Sequence, residues 1–408
     1  MFKVFWALPF FALAPFLQAQ EKSSFSLEQA IVQAIKQNPE ILAAQRQIEQ
    51  ARGRRLQASS PDQPELSFSW EKIPSGGSFS QAGDRIIEIG QNVPLPNKLF
   101  LKRGAASRDV DIAFENLGRI QTLVSAQVKK AYYAVFFQQK TLESLEFTAG
   151  LLQQFQEATL SKYQAGSSAY FEVVRARVEA AKTQNEIIAA QAELVSARTD
   201  FNLILGRAGS EDFELTDRPA FVPYDKSKEA AIRELLQKSR TLKIAQLTKE
   251  REGRNLQLAR WNFFPDLRLV GGYQSEAGGD FRPGVGFGLA IPLWWWGPGG
   301  GVKENRAGYQ VAEIRRLAAE RILSGEIERS YELVKSAERQ MALFEKTLLK
   351  EVDEELKAGI NAYQYNQIDA LNLLDIYRTS KTTKIEYYKA FLNYLSAIAD
   401  LEIAGEEK

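Results

Sequence analysis

Apolar and polar residues alternate with a period of two in four short stretches of this chain. Much of the remainder follows the three-and-four spacing of helices. In Leu66-Ser67-Phe68-Ser69-Trp70-Glu71 the alternation is strict, as in a strand whose faces meet different surroundings. Ile87, Ile89 and Val93 alternate with Glu88, Gly90 and Asn92. Leu267, Leu269 and Tyr273 oppose Asp266, Arg268 and Gln274, while Val285, Phe287, Leu289, Ile291 and Leu293 alternate with Gly284, Gly286, Gly288 and Ala290. The pattern predicts strands over 64–72, 85–93, 265–275 and 283–293, each about as long as a tilted membrane-crossing strand. From Lys98 to Tyr163 there is no proline, and Val110, Phe114, Leu117, Val124, Val128, Ala131 and Val135 mark a coiled-coil seam. A helix of some ~65 residues is a rod of roughly 100 Å. Ile385, Tyr388, Leu392, Leu395 and Ala399 repeat the spacing in a last long helix.

These elements come twice. Gly53-Arg54-Arg55-Leu56-Gln57 returns 200 residues later as Gly253-Arg254-Asn255-Leu256-Gln257, and Tyr163-Gln164-Ala165-Gly166 returns at the same offset as Tyr363-Gln364-Tyr365-Asn366. Pro64-Glu65-Leu66 and Val93-Pro94-Leu95 have counterparts in Pro265-Asp266-Leu267 and Ile291-Pro292-Leu293. Four landmarks in one order point to an internal repeat. The division is a first unit over 20–207, a linker over 208–226 containing Pro219 and Pro223, and a second unit over 227–408. Each unit reads helix, strand pair, long helix, turn, helix. Pro94 and Pro292, just past strand ends, stop the hydrogen-bond ladder and redirect the chain into helix. Gly297-Pro298-Gly299-Gly300-Gly301 is expected to do the same in the second unit; it lacks the Lys-Ser/Thr of a phosphate loop.

The strands set a condition on assembly. Their polar face carries Glu88, Asp266 and Arg268, suited to a watery lumen. The apolar face ends in aromatic clusters, Phe263-Phe264 and Trp294-Trp295-Trp296, as where a barrel meets lipid headgroups. A Trp triplet can equally be soluble core, and an amphipathic sheet can pack on a soluble domain. In a membrane, however, four strands cannot close a barrel, and each unpaired backbone group in lipid costs several kcal/mol. Several copies must then share one wall.

Composition narrows the chemistry. The 408 residues carry a formal charge of +1, with 45% hydrophobic and 25% charged residues, which argues against a nucleic-acid partner. Cys and His are absent and Met occurs twice. Thiol chemistry, disulfides, a lipidated N-terminal Cys, the commonest general base and the commonest transition-metal ligand are therefore excluded. We expect no catalytic residues, no metal site and no cofactor. Lys3 followed by the apolar run from Val4 to Leu13 and the small residue Ala19 reads as a signal peptide over 1–19. The run is short for a membrane helix and is interrupted by Pro9 and Pro15.

The duplicated order of helix, β-hairpin ending in a Pro-Leu step, long helix, Tyr-x-x-Gly turn and helix resembles the TolC-type outer-membrane efflux family, close to the partners of heavy-metal and multidrug pumps. The resemblance spans the chain beyond the leader. It implies a mainly α fold with a membrane β-barrel portion: a homotrimer whose twelve-stranded barrel continues as a long periplasmic α-helical barrel. It further implies an exit duct in the outer membrane, docked to a periplasmic adaptor and an inner-membrane RND or ABC transporter. By the same resemblance, Glu172, Tyr363, Asn372 and Asp375 lie at the periplasmic aperture. Tyr163, Gly166, Ser167, Asn366 and Gln367 form the adaptor-contacting tips, Pro94 and Pro292 the swivel between barrel and helices, and Trp294, Trp295 and Trp296 the lipid interface. Asn366 departs from the family's turn glycine, and Asn372 stands where an aspartate is frequent.

Two other classes compete. A periplasmic coiled-coil adaptor or stalk explains the helices but needs no lipid-facing band. A secreted enzyme could use carboxylates alone, yet no paired-acid constellation stands out. For Asp375, an ion pair with Arg378 is the alternative to a pore-lining role.

Overall fold

The computed structural model describes residues 23–276 and 279–406; the leader expected at 1–19 lies outside them. In chain order the elements are β1 (Ser23–Phe25), α1 (Leu27–Gln37), α2 (Pro39–Ala58), β2 (Glu65–Glu71), β3 (Asp84–Val93), α3 (Pro96–Gln164) and α4 (Tyr170–Ile204). There follow β4 (Phe213–Leu215), α5 (Lys228–Lys238), α6 (Arg240–Trp261), β5 (Asp266–Glu276), β6 (Arg282–Ala290), α7 (Trp296–Leu343), α8 (Leu349–Gln364) and α9 (Ala370–Ile403).

Local signals set the boundaries. Ser26 Oγ accepts from Gln29 N at 3.2 Å and Gln29 Oε1 from Ser26 N at 2.9 Å, a reciprocal cap that satisfies two otherwise free N–H groups. Asn38 caps α2, with Pro39 at its first position. In the second half the Ser227 and Ser239 side chains cap α5 and α6 by accepting from Ala230 N and Leu242 N. The two helices that precede each strand pair are therefore started by side chains at matching positions.

α3 runs unbroken for 69 residues. Val110, Val124, Val128 and Val135 of its seam are buried. Phe114 departs from the expected seam: it is exposed, and the Arg52 guanidinium lies 5.4 Å from its ring centre. On α9 the buried ridge runs through Tyr377, Ala390, Phe391, Tyr394, Ala399 and Leu401. Ile385, Tyr388, Leu392 and Leu395 are half-buried beside it, because α9 meets neighbours on more than one face.

The two halves differ in one respect. Where α3 is continuous, the second half has a π-helical turn at Phe344–Leu348 between α7 and α8. The Gly297–Gly301 stretch, expected to stop the ladder and redirect the chain into helix, itself forms the first turns of α7. The reason is positional: Pro298 falls in the first turn, where a backbone N–H has no helical acceptor to lose. Strand β6 stops at Ala290, short of the expected 293, and Leu293 N turns back to Ile291 O at 2.9 Å.

The core lies in blocks along the helices. One block joins α1, α2, α3 and α4 around Tyr132 and Phe201 and closes on Phe213 of β4. A matching block joins α5, α7 and α9 around Tyr331, Phe391 and Tyr394. A third sits at the far end and combines both hairpins, α3–α4 and α8–α9, around Phe155, Leu373 and Tyr377. Strand β1 pairs in parallel with β4, so the region expected to be a plain linker carries a short strand back to the start of the described chain.

Candidate functional site

The four long strands form one antiparallel sheet in the order β2-β3-β5-β6. Its register turns four separate alternations into a continuous surface. Leu66 pairs with Ile89 and Phe68 with Ile87; Ile87 then pairs with Tyr273 and Val93 with Leu267; Leu267 pairs with Leu289 and Leu269 with Phe287. Paired residues share a face, so these side chains lie on one side. Glu65, Ser67, Glu88, Gly90, Arg268, Gly272, Gly286 and Gly288 lie on the other.

The apolar side is bare. Val285 is 95% exposed and Phe287 82%, and Leu66, Phe68, Ile89, Leu269 and Leu289 are all exposed. A contiguous apolar face of this size marks a membrane or protein contact. Aromatics bracket it. At the helical end Trp294, Trp295 and Trp296 are exposed, with the Trp294 and Trp296 ring centres 5.2 Å apart. Phe263 and Phe264 are exposed just ahead of β5, whose Asp266 pairs with Ala290 at the end of β6. At the opposite end Trp70 and Phe79 meet edge to face at 5.9 Å. β2 and β6 each pair on one side only among the described residues.

Pro94 stands between Val93, the last residue of β3, and Pro96, the first of α3; Pro292 stands between Ala290 and Trp296. Beside this junction Lys98 Nζ donates to Asp266 Oδ1 and to Phe264 O, both at 2.8 Å. That buried lysine ties the start of α3 to the start of β5, a link between halves that the sequence pattern gave no reason to expect.

At the other end, each hairpin turns through one residue with positive φ. Gly166 has φ +74° and Asn366 φ +55°. In the first tip Gly166 N reaches Tyr163 O at 2.9 Å and Ser167 N reaches Lys162 O at 2.9 Å. In the second, Asn366 N reaches Tyr363 O at 3.2 Å and Gln367 N reaches Ala362 O at 2.8 Å. Both tips thus share one helix-ending motif, and Asn substitutes for Gly because it tolerates the left-handed conformation. The tips also hold each other: Lys162 Nζ donates to Asn366 Oδ1 at 2.6 Å and to Tyr363 O at 2.9 Å, and lies 3.8 Å from the Tyr363 ring centre.

The expected site residues divide accordingly. Tyr163, Gly166, Ser167, Asn366 and Gln367 are exposed at the tips, together with Tyr170, Phe171 and Tyr365. Asn372 and Asp375 are exposed on the first turns of α9, and Glu172 is half-buried on α4. Asn372 N also takes the Asp369 cap at 2.8 Å. Tyr363 belongs with the core and not with an aperture surface: it is 5% exposed, packed on Phe155, and burial pushes its phenol up to about 12. Asp375 does not capture Arg378, which pairs with Glu179 on α4.

That Glu179 was not anticipated. Its place among Val173, Ala176, Thr183 and Ile187 on the buried face of α4 was the available signal, since an acid on an apolar stripe needs a partner. Lys381 likewise reaches Glu186 at 2.8 Å.

With both surfaces described, the chain can be set beside known proteins. It is 22% identical over 386 residues to the cobalt-zinc-cadmium resistance protein CzcC of Cupriavidus metallidurans, covering 92% of this chain and 88% of the relative. It shares its fold with the outer-membrane channel OprN (TM-score 0.78, 16% identity, 93% of this chain and 90% of that one). It is similarly close to the outer membrane protein VceC of Vibrio cholerae (TM-score 0.76, 16% identity, 93% and 96%). Residues 30–207 match the family described as outer membrane efflux protein, and the fold shared with these channels runs through both halves of the chain.

Proposed function

We propose that three copies of this chain form a passive exit duct, a twelve-stranded barrel in the outer membrane continued by a helical tube in the periplasm. The observation that carries this reading is the sheet: one face is apolar in register across four strands, and both outer strands keep an open edge. Lipid tolerates the apolar face but not the edges. Because the four strands alternate in direction, β6 of one copy can meet β2 of the next antiparallel. The match of residues 30–207 to the outer membrane efflux protein family supports an outer-membrane channel, and the stalk alternative leaves the apolar face without a purpose.

In this assembly Trp294, Trp295 and Trp296 sit at the periplasmic lipid interface, and Pro94 and Pro292 act as the swivel where strands become tube helices. Glu172, Asn372 and Asp375 line the aperture, Tyr363 supports it from inside, and Tyr163, Gly166, Ser167, Asn366 and Gln367 meet a periplasmic adaptor that couples to an inner-membrane pump. The relative named for cobalt, zinc and cadmium resistance supports divalent cations as the cargo class. The test is fractionation with electrophoresis before and after boiling. A heat-sensitive oligomer in the outer-membrane fraction is expected; a monomer soluble without detergent overturns the proposal.

A further inference from the structure

The polar face of the sheet carries few side chains, and among the described residues two cations on it have no acid partner, Arg282 at the far end of β6 and Arg268 at the helical end. Across one row Arg268 has Asn92 on one side and Gly288 on the other. The next row reads Glu65, Gly90, Val270, Gly286, and the one beyond it Ser67, Glu88, Gly272, Gly284. The Arg268 side chain leans over β3: a Cβ placed on Gly90 would stand 3.4 Å from Nη2 and 3.7 Å from Nε. Glycine at 90 therefore leaves the guanidinium room to lie along the wall. The acid two residues away on the same strand, Asp266, is held by Lys98. Glu65 lies two strands over, and among the described residues Arg268 forms no ion pair with it or with any other acid. An exposed guanidinium with five donors and no acid is a receptor for anions.

We propose that Arg268 is the charge-selecting residue of the barrel lumen. The proposal rests on the channel reading above. Three copies place a ring of guanidinium groups at the helical end of the barrel, one row before the Glu65 carboxylates and two before those of Glu88. Small anions such as chloride, carboxylates and phosphates are concentrated there. Cations meet a barrier before the acidic rows, which shortens their stay at Glu65 and Glu88. Fast conduction needs such weak holding, since an ion bound too well does not leave. Glycine along β6 and at 90 and 272 keeps other side chains from covering the ring.

The experiment is the reversal potential of the purified oligomer in planar bilayers under a potassium chloride gradient. At low salt Arg268→Gln should raise the cation-to-anion permeability ratio by ~2-fold or more, and at about 1 M, where screening acts within ~3 Å, the difference should shrink. Arg268→Lys keeps the charge and should restore the wild-type ratio. Gly288→Glu brings a carboxylate to the same row, where a Cβ would meet only Arg268 Cβ at 3.9 Å, and should shift the ratio in the same direction as Arg268→Gln. Wild-type reversal potentials in both Arg268→Gln and Gly288→Glu channels would overturn the assignment and leave the channel reading standing. Absence of conductance from the wild-type oligomer would remove the channel reading itself.

Discussion

Arg378 on α9 grips Glu179 on α4 with two hydrogen bonds, Nε to Oε1 at 3.0 Å and Nη2 to Oε2 at 2.5 Å, and so fastens one helix hairpin to the other. The acid is the buried partner, its side chain 7% exposed, while the Arg378 side chain is 45% exposed. The Arg378 hydrogen bonds hold the Glu179 carboxyl below the usual carboxylate range, against the opposing effect of burial. Arg378→Ala leaves an acid buried without a partner and should weaken the hairpin pairing by about 1–2 kcal/mol, discounted for the exposure of the arginine. Hydrogen exchange over 175–190 and 375–385 should accelerate; unchanged protection in both segments would show that the pair is ornamental.

The same pair sets a pH dependence. A carboxyl whose pKa is lower folded than unfolded contributes stability that is full above the unfolded value, about 4.3 for Glu. That contribution is lost as pH falls through the folded value. The hairpins should therefore loosen below about pH 4, and Glu179→Gln should blunt the loss. Exchange measured across an acid series would reveal it, and an identical acid response in Glu179→Gln would contradict it.

On the sheet, Leu269 pairs with Phe287 on the exposed apolar face. Leu269→Arg should cost about 2–4 kcal/mol if the residue lies near the bilayer midplane, and should reduce the heat-sensitive oligomer in outer membranes. Val270→Arg, on the opposite face, should be tolerated better. Equal assembly of both variants would refute the assignment of faces.

At the far end, Asp375 is exposed on α9 while its neighbour Arg378 is engaged elsewhere. Three such carboxylates at a constriction favour cations. Asp375→Asn should lower the cation preference of single channels, opposite in sign to Arg268→Gln. A reversal potential equal to wild type would take Asp375 out of the aperture.

The tips are joined through Lys162, which bonds Asn366 Oδ1 and Tyr363 O and covers the Tyr363 ring. Lys162→Ala should release the second tip by about 1 kcal/mol, the sum of a solvent-exposed charge-assisted bond and a cation–π contact. Amide exchange at 364–368 is the readout, and protection equal to wild type would count against the link.

The elements were legible in the sequence because each rests on a local pattern. Strict alternation marked the strands, the Tyr-x-x-Gly turn marked the first tip, and proline marked the strand ends. What escaped is mostly non-local. Nothing in the order of residues joins Lys98 to Asp266 or Arg378 to Glu179; those pairs exist only once the halves lie side by side. The glycines after Trp296 lie inside α7 despite their low helix propensity, because they fall in its first turns, where Pro298 loses nothing. Tyr363 and its repeat counterpart Tyr163 differ as well: Tyr363 is buried against Phe155, whereas Tyr163 is exposed and meets Tyr170.

Strand β3 takes one neighbour, β2, from its own half and the other, β5, from the next, so Val93 must wait for Leu267 and Asp84 for Glu276. A chain delivered across the inner membrane from its first residue onward holds an unfinished hairpin until the second half arrives. The helices can form at once from contacts close in sequence, whereas distant strand pairing is slow. Biogenesis should therefore run from tube to wall, and anything that shields bare strands during export has to act in that interval.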